Sequence, residues 1–480
     1  MAIFSNSESG KGSDIGPNKV RHQLLTGMIL SVTNFLAVID GLAVVVALPA
    51  IQSVYETTEA QSQLILTAYL VPLGGGMLLG GRLGDRIGRG RALVYGLCGF
   101  CLSCVLAALS PSFALLLFAR FVQGCSAALA VPSTFGMISD CPDPDIRRSW
   151  FAAVATAGGL GAAGGAILGG IVTEGLGWQF VFVLSASLAG ISVIVTHRVL
   201  ITYTNKTSTR RIALIPSAIS VVGMMALILT VSNLETHSFT STQVSVPAGV
   251  ALISLVSFGM SEIRSRQPVI PWALLRQQSL KTSVIGMVGE ETAYQGSVYI
   301  GLLMLQSGFG FGPLTAGLTF VPLGAAVLMG SAAAKRLLPR THWAYLGAWG
   351  LIGCSLGLVL MGLTASAENV PSRLITGLIL VGFSAAVAAV ALNGAAGLEV
   401  PTSHKATAYG MHETSTHLSA AFAITTLSAV SLCGRTHNSA GIDDVVRGFQ
   451  IALWAAAGLV AVVAVLIAVL GRKAPRWLGS

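Results

Sequence analysis

Charge is what this 480-residue sequence has least of. Asp, Glu, Lys and Arg make up 10% of it against 53% hydrophobic residues, and mean hydropathy is +0.77. A water-soluble fold could not cover its surface with so few polar groups, so the chain reads as a polytopic membrane protein. The sequence has no G-x-x-x-x-G-K-[ST] phosphate loop and no polar stretch long enough for a soluble nucleotide-binding domain, which argues against an ATP-driven machine. Strand-like alternation of polar and apolar residues is missing too, which excludes an outer-membrane barrel. Cysteines number only seven. Cys98, Cys101 and Cys104 have a spacing that superficially suits a metal cluster, but they lie in an apolar run where thiols serve as small packing residues. No metal, cofactor or redox role is assigned, and no catalytic constellation is recognised: the expected protein is not an enzyme.

What is present in excess is glycine, 56 residues, the composition of helices that approach each other closely in a bilayer. Apolar runs long enough to cross a core of about 30 Å fall at 24–49, 60–81, 91–110, 112–138, 149–171 and 178–198, then 212–234 and 244–262, then 282–306, 312–334, 342–364, 373–397, 405–433 and 446–471. The first run is too long for a signal peptide. This is an all-α protein of fourteen spans in a six, two, six arrangement. The expected divisions are a disordered cytoplasmic tail (1–22), a six-helix bundle (23–200), two inserted helices with flanking loops (201–280), a second six-helix bundle (281–472) and a short tail (473–480).

The formal charge of +9 and pI near 9.4 raise the question of a nucleic-acid partner, and their distribution answers it. With both termini inside, the cytoplasmic segments collect nearly all Lys and Arg, while the outer loops hold Arg373, Arg435 and Arg447 and one span holds Arg120. That is the positive-inside bias. The charge is topogenic, the partner it implies is the lipid bilayer of the cytoplasmic membrane, and no nucleic acid is required. A functional monomer is expected.

Two six-helix halves imply an internal repeat with a central site between them. The densest polar stretch, Gly81-Arg82-Leu83-Gly84-Asp85-Arg86-Ile87-Gly88-Arg89-Gly90-Arg91, has five charged residues in eleven and reads as a short cytoplasmic loop between spans two and three. Its worn counterpart in the second half, 330–340, keeps Lys335, Arg336 and Arg340 and lacks the Asp. Its glycines permit a tight turn, and Asp85 can accept bonds from a helix N-terminus or a neighbouring Arg. Gly81, Asp85, Arg86, Gly88, Arg89 and Arg91 are therefore expected to form a conformational gate with Asp85 as its latch.

Several patterns together resemble one family. The stretch above resembles G-x-L-x-D-R-x-G-R-x-R of the major facilitator superfamily, and Arg120-Phe-Val-Gln123-Gly124 resembles its R-x-x-Q-G element in span four. Gly161-Ala-Ala-Gly-Gly165-Ala166-Ile-Leu-Gly169-Gly170 is similar to the antiporter motif of span five, with Ala166 in place of proline. Asp40 followed by Ala47-Leu48-Pro49 resembles the span-one pattern of the fourteen-span drug:proton antiporters, with Leu42 and Val45 where Thr and Asn are expected. Gln63-Leu64-Ile65-Leu66-Thr67-Ala68-Tyr69 is similar to that family's Q-W-V-V-T-A-Y. The resemblance, covering about 25–475, implies two six-helix halves plus two inserted helices. It also implies export of lipophilic or cationic drugs and antibiotics from a bacterial cell in exchange for protons, without a cofactor. A symporter or uniporter for a small nutrient would share the fold, and Ala166 keeps that alternative open.

The intramembrane polar residues are the candidates for chemistry. Arg120 at membrane depth costs about 2.5–3.5 kcal/mol on insertion scales, so it should have a carboxylate or carbonyl partner. Glu290 lies roughly 13 Å into span nine, near the midplane. Glu291 follows it on another face, with Tyr294 and Gln295 each four residues after one of the acids. Such carboxyl groups can exchange a proton and, once ionised, attract a cation. In span thirteen Glu413 and His417 are four apart and can meet on one face as a proton relay. Proton-coupling candidates are thus Asp40, Arg120, Glu290, Glu291, Glu413 and His417. Substrate-binding candidates are Phe35, Tyr69, Gln123, Tyr294, Gln295, Tyr299 and His412, with Phe320 as a further aromatic. Trp272, Trp343 and Trp477 are expected in the interfacial belt.

Overall fold

In hydrocarbon every backbone N–H and C=O must be satisfied within its own segment, and long apolar runs without strand alternation can do so only as helices. The computed structural model describes residues 17–141, 143–200, 214–234, 240–265, 272–400, 405–435, 442–472 and 474–475. Among these, twelve helices are long and apolar enough to cross a membrane. Two further rods stand between them in chain order, Pro144–Gly175 and 278–308, and bring the number to fourteen.

We number the rods α1 (Pro17–Tyr55), α2 (Glu59–Ile87), α3 (Arg89–Ala108), α4 (Phe113–Ser139), α5 (Pro144–Gly175), α6 (Gln179–Leu200), α7 (Leu214–Asn233) and α8 (Thr242–Arg264). The second series is α9 (278–308), α10 (Pro313–Leu337), α11 (Trp343–Gly362), α12 (Ala367–Ala396), α13 (Lys405–Cys433) and α14 (Ile442–Gly471). Rods α1 to α6 pack on one another, as do α9 to α14, and α7 and α8 form a hairpin beside them. The spans are longer than the apolar runs predict. α2 continues to Ile87 and α3 begins at Arg89, so the expected loop shrinks to Gly88. Gly88 has φ 93°, a conformation glycine adopts without the penalty a Cβ brings, and this lets one helix end and the next start within a single residue. Hydropathy misses such extensions because charged residues at a membrane surface remain good helix formers.

The expected tail is also shorter in the structure, since α1 already begins at Pro17. The rest of that tail, 1–16, and the end of the C-terminal one, 476–480, lie outside the described residues. In α9 two π-helical turns, Gly296–Ile300 and Met304–Gly308, interrupt the α-helix. Such turns shift the facing of the side chains beyond them and accumulate at functional sites, but they have no hydropathy signature. Trp343 is fully buried and donates from Nε1 to the Pro475 carbonyl at 3.1 Å, so it is a core residue and not a belt residue.

Candidate functional site

α4 enters from the outer end, where the Ser112 hydroxyl caps it through the Leu115 N–H at 3.3 Å. Arg120 follows about two turns later, and one turn beyond it Gly124 lets α4 press against α2. A Cβ at Gly124 would collide with the Tyr69 carbonyl. That close crossing sets the guanidinium of Arg120 beneath α2. Its Nε donates to the Ile65 carbonyl at 3.0 Å, and Nη1 donates to Asp40 Oδ2 at 2.6 Å and to Gln123 Oε1 at 2.7 Å. The Tyr69 ring lies 4.5 Å from the guanidinium carbon and the Phe182 ring 5.8 Å. Arg120, Asp40 and Gln123 are all 0% exposed.

The expected partner of Arg120 is therefore present twice, as a carboxylate and as a backbone carbonyl. Charge-assisted bonds and two ring faces together offset the desolvation of an isolated arginine. The pair is not saturated. Asp40 Oδ1, Arg120 Nη2 and the Tyr69 hydroxyl are buried without a protein hydrogen-bond partner. Oδ1 is thus an oxygen that can take a proton without first losing the 2.6 Å bond made by Oδ2.

A second cluster lies on α9 and α13. Glu290 and Glu291 are 7% and 9% exposed, and Gln295 Nε2 donates to Glu291 Oε2 at 3.3 Å. Glu413 Oε2 stands 4.0 Å from His417 Nε2, the contact the four-residue spacing predicts, and both side chains are about a quarter exposed, 26% and 24%. Glu413 is also within electrostatic range of both Glu290 and Glu291. No Lys or Arg pairs with any of these three acids among the described residues. Their charge is left for a proton, water or an incoming cation to balance.

Other expected site residues have different surroundings. His412 is 1% exposed and bonds through Nδ1 to Ser283 Oγ at 2.8 Å, while that hydroxyl donates to the Leu392 carbonyl at 2.7 Å. It ties α9, α12 and α13 together and has no face open to a substrate. Tyr69 and Gln123 belong to the ion-pair cluster, the latter also donating to Cys104 Sγ at 3.1 Å. Tyr299 and Phe320 are core residues at 1% and 3% exposure. Phe35, Tyr294 and Gln295 are partly exposed.

In the polar stretch at the cytoplasmic end, Asp85 has the neighbouring arginine expected of it, Arg89, which also meets a second acid. Arg89 Nε donates to Asp85 Oδ1 at 2.9 Å, and its Nη1 meets Asp140 Oδ2 at 2.8 Å. These ion pairs join the cytoplasmic ends of α2, α3 and α4, three helices of one half. Gly81 is partly buried on α2, and Arg86 and Arg91 are exposed.

Polar ties between the halves lie near the outer surface. Arg435 Nη2 meets Glu59 Oε2 at 2.6 Å, with its guanidinium carbon 5.4 Å from the Phe449 ring. Glu174 accepts from the Leu314 N–H at 2.9 Å, and Gln306 donates to the Val46 carbonyl at 3.1 Å. Beneath Glu174, α5 crosses α10 through small residues, where a Cβ on Gly317 would collide with the Ala166 carbonyl. Further in, Gly74 of α2 rests against His417 and Leu418 of α13. The outer ends are thus held shut.

Residues 30–424 match the family model of the Major Facilitator Superfamily. The chain belongs to that superfamily. It is 26% identical over 458 residues to the puromycin resistance protein pur8 of Streptomyces alboniger, covering 92% of this chain and 90% of the relative. It is 25% identical over 344 residues to the lincomycin resistance protein of Streptomyces lincolnensis, covering 71% and 70%. Among solved structures, the peptide transporter POT in complex with sulfate superposes with a TM-score of 0.69 at 14% identity, over 93% of this chain and 95% of that one, a likeness of fold. The major facilitator chain is accordingly a multi-pass transporter of a bacterial plasma membrane, not an enzyme. Sequence reading overlooked Asp140, Glu59, Glu174 and Ser283. Each partners a residue distant in the chain, and no local pattern announces such a pairing.

Proposed function

We propose that this major facilitator protein exports lipophilic or cationic drugs by alternating access, each outward step being exchanged for inward-moving protons. The observation that carries the reading is the contrast between the clusters. One acid, Asp40, is matched by a buried arginine, whereas among the described residues no Lys or Arg pairs with Glu290, Glu291 or Glu413, and only Glu413 meets a histidine, His417. The three unmatched acids suit a cation, or protons in its absence. The half-engaged Asp40 suits a proton alone, and the membrane potential contributes about 2.3 kcal/mol per charge per 100 mV to its entry. The names of the resistance relatives point the same way.

In everted vesicles, an acid interior should drive accumulation of a lipophilic cation such as ethidium, and addition of the cation should release protons from the lumen. Accumulation that survives collapse of the proton gradient would refute proton coupling. The replacement of the motif proline by Ala166 favours one rival, a symporter on the same fold. Under symport, substrate and proton would leave such vesicles together.

A further inference from the structure

The two inserted helices make the seams between the halves unequal. One seam runs between α2 and α13, the other between α5 and α10. α7 lies over the first. Its Ile228 is fully buried in one cluster with Leu64 and Val71 of α2 and Ala421 of α13, flanked by Leu70, Met224 and Leu229. The attachment to the two sides differs in kind. Towards α2, the Ser232 hydroxyl donates to the Ala60 carbonyl at 2.9 Å near one end of α7. Towards the other end Val221 fills the space beside Gly75, its Cγ2 lying 2.7 Å from where a Cβ would stand. A hydrogen bond to a backbone carbonyl and a side chain seated over a glycine both fix register, and in lipid such packing is what holds helices together. Towards α13 the contact is apolar, and apolar faces can slide. α8 packs on α7, and only 11% of its most apolar window is buried. Neither inserted helix packs comparably on α5 or α10 among the described residues.

We infer that α7 is a seal anchored on the amino-terminal half across the α2–α13 seam, so that a lipophilic substrate entering from the bilayer does so through the opposite seam, between α5 and α10. The inference rests on the alternating-access reading above. It gives the insert a function: α7 travels with α2 and keeps lipid out of one seam while α13 moves beneath it.

The test uses the full chain with engineered cysteine pairs joined by a short, reducible bis-methanethiosulfonate reagent in membranes. Joining Ala60→Cys to Ser232→Cys should leave efflux within about twofold, because that contact does not move. Joining Ile228→Cys to Ala421→Cys should lower efflux at least tenfold, with recovery on reduction. A diazirine derivative of a transported lipophilic cation should label α5 and α10 in preference to α7. Loss of efflux with the first pair, normal efflux with the second, or equal labelling of α7 would each overturn the seal. A third pair, Glu59→Cys with Arg435→Cys, tests the parent reading separately. Normal efflux with the outer ends tied would sink alternating access, whatever the α7 pairs do.

Discussion

Replacing Asp40 with Asn removes one charge from a site where both partners of the ion pair are fully buried. Arg120 would keep the Ile65 carbonyl and Gln123 Oε1 as acceptors, at 3.0 and 2.7 Å, and the Tyr69 ring at 4.5 Å. Breaking a buried pair by removing one partner costs about 3–5 kcal/mol. The amide of Asn keeps an oxygen that can accept, so the lower end applies, about 3 kcal/mol or roughly a hundredfold in the folded ratio. SDS-titrated unfolding of the purified protein in mixed micelles measures it. Adding Arg120→Gln to Asp40→Asn should recover most of the loss, because no buried charge is then left alone. Transport separates stability from coupling. In proteoliposomes both variants should exchange substrate down its own gradient yet fail to concentrate it against one when an acid interior is imposed. If Asp40→Asn unfolds within about 1 kcal/mol of the parent, the pair is not the desolvated structure described here. If it still concentrates substrate, the proton does not pass through Asp40.

Four further outcomes are expected. Glu413→Gln should impair uphill transport of cations more than of neutral lipophilic compounds, measured as separate efflux rates, since it removes one of the three acids that no Lys or Arg pairs with among the described residues. His412→Phe should lower stability by about 1–3 kcal/mol, leaving Ser283 with the Leu392 carbonyl alone, and should not change substrate preference. Gly88→Ala should cost about 1–2 kcal/mol in unfolding experiments, because φ of 93° forces a Cβ against its own backbone. Arg89→Ala removes the link from Asp85 to Asp140 and should increase protease access at the cytoplasmic ends of α2 and α4.

The spans were legible because lipid imposes the same demand on every residue in a run, and the direction assigned to them follows from lysine and arginine accumulating on one side. α2 shows the limit of that signal: its helix passes through Arg82, Asp85 and Arg86 to Ile87, where hydropathy had already predicted a loop. The site was legible wherever partners are four residues apart on one helix, as with Glu413 and His417 or Glu291 and Gln295. It was legible by necessity for Arg120, which could not be buried alone. It was not legible for Glu59 with Arg435 or Glu174 with Leu314, whose partners are brought together only by the crossing of the two halves. The aromatic candidates divide for a different reason. An apolar ring in a span fits a binding surface and a core equally well, and Tyr299 turned out to be core.

α2 relates the two clusters. Tyr69 on this helix lies over Arg120, and five residues later Gly74 rests against His417 on α13. Five residues correspond to about 7.5 Å of helix axis and somewhat more than one turn, so α2 presents one face to the ion pair and another to the acid-bearing helix of the opposite half. The ion pair lies wholly within the first half, so under the proposed alternating access it keeps its geometry while the halves rock. The contact at Gly74 does not, because it crosses the seam. Any displacement of α13 along α2 carries Glu413 and His417 with it and changes their separation from Glu290 and Glu291 on α9 only as far as α9 moves independently. Ser283 and His412 tie α9 to α13, so the proposed mechanism has the three acids travel as a unit, with the wall that α2 presents to them as the part that changes. A methyl group at position 74 would crowd His417 and the Leu418 backbone, so Gly74→Ala should slow transport by more than a control variant of equal stability loss, a combination that efflux rates and SDS titration can distinguish from simple misfolding.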